Sequence, residues 1–355
     1  MRIALSTGGG DAPGLSAVIR GAVLTAVHRG WECFGVKKGF GSLLGESELQ
    51  PLGVNEVRGI THLGGTILGT SNRGNPLQWR VQRPDGSWEE RDRSDELIAT
   101  FHRYRLDALI AIGGDGTLGI VLSLWKKGLP VVGVPKTIDN DVGGTMATFG
   151  FDTAVATATD AIDKVHSTAE SHERVIVVEV MGRHAGFIAL NSGIAGSADV
   201  ILIPEIPFEI DKVCDKIRRR EAEGRHFSVV VVAEGAVPKG GSESLIDPEH
   251  ARLGGIGDKV AHSIEQMTGK ETRSLVLGHL QRGGSPTTFD RLLGLRFGSA
   301  AVRLVAEGQF GKMVALQAPR IVGVPLEEAI AKPRRVSLDS DTVLTARDLG
   351  ISFGD

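Results

Sequence analysis

An α/β fold with two doubly wound, mainly parallel-sheet domains is predicted by three observations. Short, almost wholly apolar runs such as IVVEV, VILIP and VVVVA mark strands covered on both faces. Segments of helical period alternate with these runs, which is the βαβ pattern. The 355 residues are about twice the ~150 of an average domain, enough for two cores.

Taken in order, RIALS (2–6) is a β-rich run stopped by glycines, and 15–28 carries the first helical period. ECFGV (32–36) is the next strand. ALIAI (108–112) again stops at glycines, and helix 118–127, strand PVVGV (130–134) and helix 152–167 follow. In the second half RVIVVE (174–179), VILI (200–203), SVVVVA (228–233) and SLVL (274–277) are strands. Helices are expected there over 211–223, 257–268 and 289–307. The polar stretch 74–93, with PDG as a turn signal, is expected to form an exposed hairpin or excursion. The weakly patterned tail 334–355 is expected to cap another element.

Composition excludes several classes of function. Forty basic against 43 acidic residues give a net charge of −3, with no footprint for duplex nucleic acid. Aromatics at 5% argue against stacking platforms for single strands. No run reaches the ~18 apolar residues of a membrane span, and the N-terminus lacks a signal-peptide core, so a cytoplasmic protein is expected. Cys33 and Cys214 have neither disulfide-framework nor zinc spacing and are expected to be buried and reduced. Glycine is the abundant residue, at 48, which implies tight turns and backbone running close to ligands.

Five segments carry candidate chemistry, most of them just beyond a strand's carboxyl end, where open α/β sheets bind ligands. STGGGDAPG (6–14) is a phosphate cradle at a helix start or an ordinary tight turn. GGDGT (113–117) offers bare glycines and one carboxylate, Asp115, which is either a Mg²⁺ ligand or a helix N-cap. PKTIDND (135–141) holds Asp139 and Asp141, which point to the same side if the loop is extended; an Asp-rich turn is the other reading. Arg183 and His184 in EVMGRHAGF, with His279 and Arg282 in GHLQRGGSP, supply cations suited to a sugar phosphate.

STGGGDAPG, GGDGT, PKTIDND, VEVMGRHAGF and GHLQRGGSPTTFDR, in this order from residue 1 to about 310, resemble the 6-phosphofructokinase family. The likeness is greatest to the bacterial branch whose members use ATP or pyrophosphate. It implies transfer of the terminal phosphoryl of ATP to the 1-hydroxyl of fructose 6-phosphate, in a cleft between the two domains. The donor domain would be 1–150 with about 282–332, and the fructose 6-phosphate domain 151–281 with 333–355.

By the same resemblance Asp139 is the general base, Thr137 lies beside it, and Arg183 steadies the transferred group. Gly10, Arg73, Gly114, Asp115, Gly116, Thr117 and Lys136 would take the donor, Asp115 holding Mg²⁺. Thr137, Ile138, Asp139, Met181, Gly182, Arg183, Glu234, His279, Leu280, Gln281 and Arg282 would form the sugar pocket. Arg174 and Arg273 match arginines that reach a neighbouring subunit's site, implying a homodimer or homotetramer.

Two positions bear on the donor. Pyrophosphate users of the family have Asp where this chain has Gly116, which favours ATP; Lys136 is shared with pyrophosphate users but accepts either donor. The effector pocket of bacterial relatives has basic residues where Leu24, His166 and Glu223 stand, so no such effector site is expected. The run 217–226 (IRRREAEGRH) is expected to be a solvated helix end. A pyrophosphate-dependent enzyme and an inactive nucleotide-sensing protein are the alternatives; the second expects the carboxylates at 115 and 139 to be missing, and both are present.

Overall fold

The computed structural model describes residues 1–71, 74–249 and 251–355. Its strands are β1 (Arg2–Thr7), β2 (Glu32–Val36), β3 (Gln50–Leu52), β4 (Trp79–Gln82), β5 (Trp88–Arg91), β6 (Ala108–Gly113) and β7 (Val131–Pro135). They continue with β8 (Val175–Val180), β9 (Val200–Leu202), β10 (Ser228–Ala233), β11 (Leu245–Asp247), β12 (Arg252–Leu253), β13 (Thr272–Val276), β14 (Lys312–Gln317) and β15 (Arg320–Pro325). The helices are α1 (Leu15–Val27), α2 (Ser94–Arg103), α3 (Asp115–Lys126), α4 (Phe151–Ser171) and α5 (Phe187–Ala195). After them come α6 (Ile210–Ala222), α7 (Ile256–Thr268), α8 (Thr288–Ala306), α9 (Leu326–Ala331) and α10 (Asp341–Asp348).

The chain divides into two compact units. The first holds residues 1–137, 142–150 and 282–333. Its seven-stranded sheet runs β15-β14-β7-β6-β1-β2-β3. The five inner strands are parallel, and only the edge strands β15 and β3 pair antiparallel. Both faces are buried: Ile3, Leu5, Ile110, Ile112 and Val132 join one core cluster, Leu109, Ala111 and Val131 the other. Part of the glycine excess serves helix packing rather than ligands. A Cβ at Gly21 of α1 would lie 2.5 Å from the Leu295 carbonyl oxygen, and one at Gly298 of α8 would lie 2.2 Å from that of Val18.

The second unit holds residues 138–141, 151–281 and 334–355, around a four-stranded parallel sheet ordered β13-β8-β10-β9. The tail does cover another element. Ile201 donates to the Ser352 carbonyl (2.9 Å) and Ser352 to that of Asp199 (3.1 Å), so the tail pairs with the free edge of β9. Residues 79–91 form a hairpin, β4 with β5.

Several expectations need correction. The run at the end of α6 is not uniformly solvated: Arg220 is buried, pairs with Asp199 at 2.7 Å and stacks on Phe227. Helix α5, α2 and the β14–β15 hairpin are additions to the expected elements. Helix α3 begins at Asp115, three residues earlier than its period suggests. Among the described residues, no helix is long and apolar enough to cross a membrane. Both cysteines are buried, and burial pushes the Cys33 thiol up to about 12.

Candidate active site

In the first unit, residues 8–10 leave the end of β1 as a turn held from three sides. Gly8 donates to the Ile112 carbonyl (2.9 Å), Gly9 to that of Ser71 (3.2 Å), and the Thr70 hydroxyl to that of Gly9. The buried Lys136 extends from the end of β7, and its ammonium is bonded to the Gly10 carbonyl. Arg282 donates to the Asp11 carbonyl (3.1 Å), and a Cβ at Gly10 would lie 2.9 Å from its Nη1. Two cations thus flank one glycine turn at the start of α1, an arrangement suited to an anion. Arg282 falls in this unit, with the residues expected to take the donor, while the other residues expected in the sugar pocket, Thr137 apart, belong to the second unit.

The second glycine turn, after β6, lies in the same unit. Thr117 fills the space beside it: a Cβ at Gly8 or Gly113 would lie 2.8 Å or 2.3 Å from its side chain. Gly114, not Asp115, is the N-cap of α3, so the cap reading of Asp115 falls. Asp115 is instead the exposed first residue of the helix, with the bare and exposed Gly116 after it. A Cβ at Gly116 would meet nothing within 4 Å. Among the described residues no three His, Cys, Asp or Glu side chains form a metal cluster. A lone carboxylate beside a polyphosphate cradle fits magnesium, which keeps its waters and takes its other ligands from phosphates. Arg73 lies outside the described residues.

In the second unit, residues 138–141 are not extended. Asn140 adopts φ 55°, a left-handed conformation that Asn tolerates, so the extended geometry expected to align Asp139 with Asp141 does not apply. Asp139 is buried, 4% exposed, and its Oδ2 lies 3.9 Å from the Arg183 Nε. Arg183 itself has φ 50°, which costs a non-glycine residue about 1 kcal/mol. The turn is held in this shape by Glu234, whose Oε1 accepts from the backbone of Gly182 (3.3 Å) and Arg183 (3.0 Å). Gly235 makes the approach possible, since a Cβ there would lie 2.1 Å from the Arg183 carbonyl oxygen. Burial, and after it the charge of Asp139, push the Glu234 carboxyl above its ordinary range.

Asp139, Gly182, Arg183 and Glu234 therefore meet. Met181 is the residue between β8 and Gly182. Gly278–Arg282 form a 3₁₀ turn after β13, with Leu280 exposed and Gln281 buried and bonded to the Gly278 carbonyl (3.1 Å). His184 pairs with Glu243 at 2.7 Å. Arg174 and Arg273 do not join this group: they lie at the opposite ends of β8 and β13 and both pair with Glu271, at 2.8 and 2.5 Å. One further carboxylate lies inside the EVMGRHAGF segment but has a role the motif does not reveal. Glu179, buried in β8, accepts from Gly255 (3.1 Å) and Gly257 (2.7 Å) and so caps α7. The one hint of that role in the sequence is a charge inside an apolar strand.

The chain is similar over nearly its whole length to known proteins. A family model described as Phosphofructokinase matches residues 2–305. An "ATP-dependent 6-phosphofructokinase" of Chloroflexus aggregans is 54% identical over 100% of this chain and 98% of its own. A "Pyrophosphate--fructose 6-phosphate 1-phosphotransferase" of Amycolatopsis methanolica is 50% identical over 95% and 96% of the two chains. The T-state crystal structure of Pichia pastoris phosphofructokinase superposes with TM-score 0.81 at 30% identity, covering 99% of this chain and 37% of that longer one. With two glycine cradles in one unit, a buried aspartate beside a strained arginine in the other, and full-length likeness of this order, the chain belongs to the phosphofructokinase family.

Proposed function

We propose that this chain is an ATP-dependent 6-phosphofructokinase, moving the terminal phosphoryl of ATP to the 1-hydroxyl of fructose 6-phosphate to give fructose 1,6-bisphosphate and ADP. The observation that carries the choice of donor is Gly116, bare and exposed in the first turn of α3 with open space around it. Packing does not require glycine there, so its lack of a side chain leaves room for a nucleotide. Lys136, the feature shared with pyrophosphate users, is engaged by the Gly10 carbonyl and braces the turn.

In this reading Asp139 accepts the proton of the sugar hydroxyl, a step worth about 10²–10⁴ in rate. Arg183 orients that carboxylate and faces the charge on the transferred group. The residues at 8–10, Thr117, Lys136 and Arg282 hold the polyphosphate. Asp115 would hold magnesium, which supplies charge neutralisation between the phosphate oxygens. Glu234 receives sugar hydroxyls on the oxygen not committed to the 182–183 backbone. Little covalent work falls to the protein, so positioning and charge compensation dominate. Assembly into a homodimer or homotetramer, with Arg174 and Arg273 serving a neighbour's sugar phosphate, belongs to the same reading. Steady-state kinetics on fructose 6-phosphate with ATP and with pyrophosphate test it; turnover with pyrophosphate alone reverses the donor assignment.

A further inference from the structure

The tail contributes more than an edge strand. Arg334, the first tail residue of the second unit, donates its backbone N–H to the Asp141 carbonyl (2.6 Å). Its guanidinium lies over the Phe187 ring, 4.8 Å from the centroid, and burial holds its pKa below the ordinary arginine value. Phe187 opens α5, four residues after Arg183, and packs edge-on against Phe151 at 6.4 Å. Two residues further along the tail, Val336 donates to Glu205 Oε1 (2.9 Å). The same Glu205 carboxylate accepts from the Gly186 backbone with both oxygens, each at 3.1 Å. A Cβ at Gly186 would lie 2.8 Å from Glu205 Oε2, so the carboxylate sits against bare backbone there.

These contacts form one continuous strap. The tail is bonded at one end to the turn carrying Asp139 and at the other, through Glu205, to the turn carrying Arg183. Cation stacking on Phe187 adds a third attachment. Left alone, the Asp139 turn has a left-handed Asn140 and the Arg183 turn a left-handed arginine, two conformations that persist only where surroundings hold them.

We propose that Arg334 and Glu205 are positioning residues, joining the Asp139 turn to the Arg183 turn so that the base and its arginine keep one geometry. The inference rests on Asp139 being the base. Misplacing a reacting group by about 1 Å costs on the order of 10² in rate, which sets the expected size of the effect.

The test is a double-mutant cycle in the full chain, with kcat read at saturating ATP and fructose 6-phosphate. Arg334→Ala is expected to lower kcat about 10–100-fold in the parent while the KM for ATP stays within about threefold. In an Asp139→Asn background the same change is expected to cost less than about threefold, because a group acting through the base has nothing left to position. Equal losses in both backgrounds, or none in the parent, overturn the proposal. Full activity of Asp139→Asn alone removes instead the reading of Asp139 as base. Should Arg334→Ala not fold, the cycle is run with Glu205→Gln, which keeps the shape and weakens the charged acceptor, and with Arg334→Lys; the same two outcomes decide.

Discussion

Gly116→Asp separates stability from donor choice with opposite signs. The position is the second residue of α3, exposed, and an added Cβ meets nothing within 4 Å, so packing does not resist the change. A carboxylate in the first turn interacts favourably with the helix dipole, by about 0.3–1 kcal/mol, and replacing glycine in a helix adds a few tenths. For a unit of about 200 residues, a gain near 1 kcal/mol raises Tm by about 2–4 °C. Toward ATP the effect reverses. A carboxylate about 4 Å from a nucleotide phosphate is repelled by about 4 kcal/mol at an effective dielectric constant near 20, or roughly 10³ in kcat/KM. Thermal melting and kinetics with both donors measure the two effects on one preparation. A variant that melts no lower than the parent yet keeps its kcat/KM for ATP would refute the donor argument.

Three further outcomes are expected. Arg183→Gly and Arg183→Ala both lose about 10²–10³ in kcat for want of the guanidinium, but at φ 50° glycine is unstrained, so the Gly variant is more stable than the Ala variant by about 1 kcal/mol in denaturant titration. Glu234 has a raised pKa in the folded state, so the unfolded chain releases that proton first, and stability falls as pH rises from about 4 through the raised value. Glu234→Gln removes this slope: its Tm exceeds the parent's at about pH 7.5 and matches it near pH 4, while the KM for fructose 6-phosphate rises. ADP and phosphoenolpyruvate change kcat/KM by less than about fivefold, the lower edge of ordinary allosteric coupling, since Leu24 carries no charge, Glu223 is acidic, and the His166 ring packs edge-on against Phe227 at 4.9 Å.

The inner strands were legible because strands covered on both faces must be apolar along their whole length, as VVVVA and IVVEV are. Helix α5 (FIALNSGIA) was not, because a helix enclosed nearly all round has no polar face to set a period. Helix α2 did carry a signal, acidic residues in its first turn followed by the buried Leu97 and Phe101, inside a stretch dominated by charge. At the site, residues in glycine-rich turns after strands can be read as candidates from local pattern alone. Glu179, Glu205 and Arg334 cannot, because each acts on backbone groups or a ring brought near by topology: Arg334 meets Asp141 across 193 positions of chain. The left-handed Asn140 shows the same limit, since two carboxylates flanking one residue read as aligned only until the backbone between them turns.

The chain passes from one unit to the other five times, so neither is a contiguous stretch of gene. During synthesis the first unit waits for residues 282–333, and the second for the last twenty or so. A ribosome stopping after residue 333 would release a protein whose first unit has all its residues while Asp141 and β9 lack their tail partners.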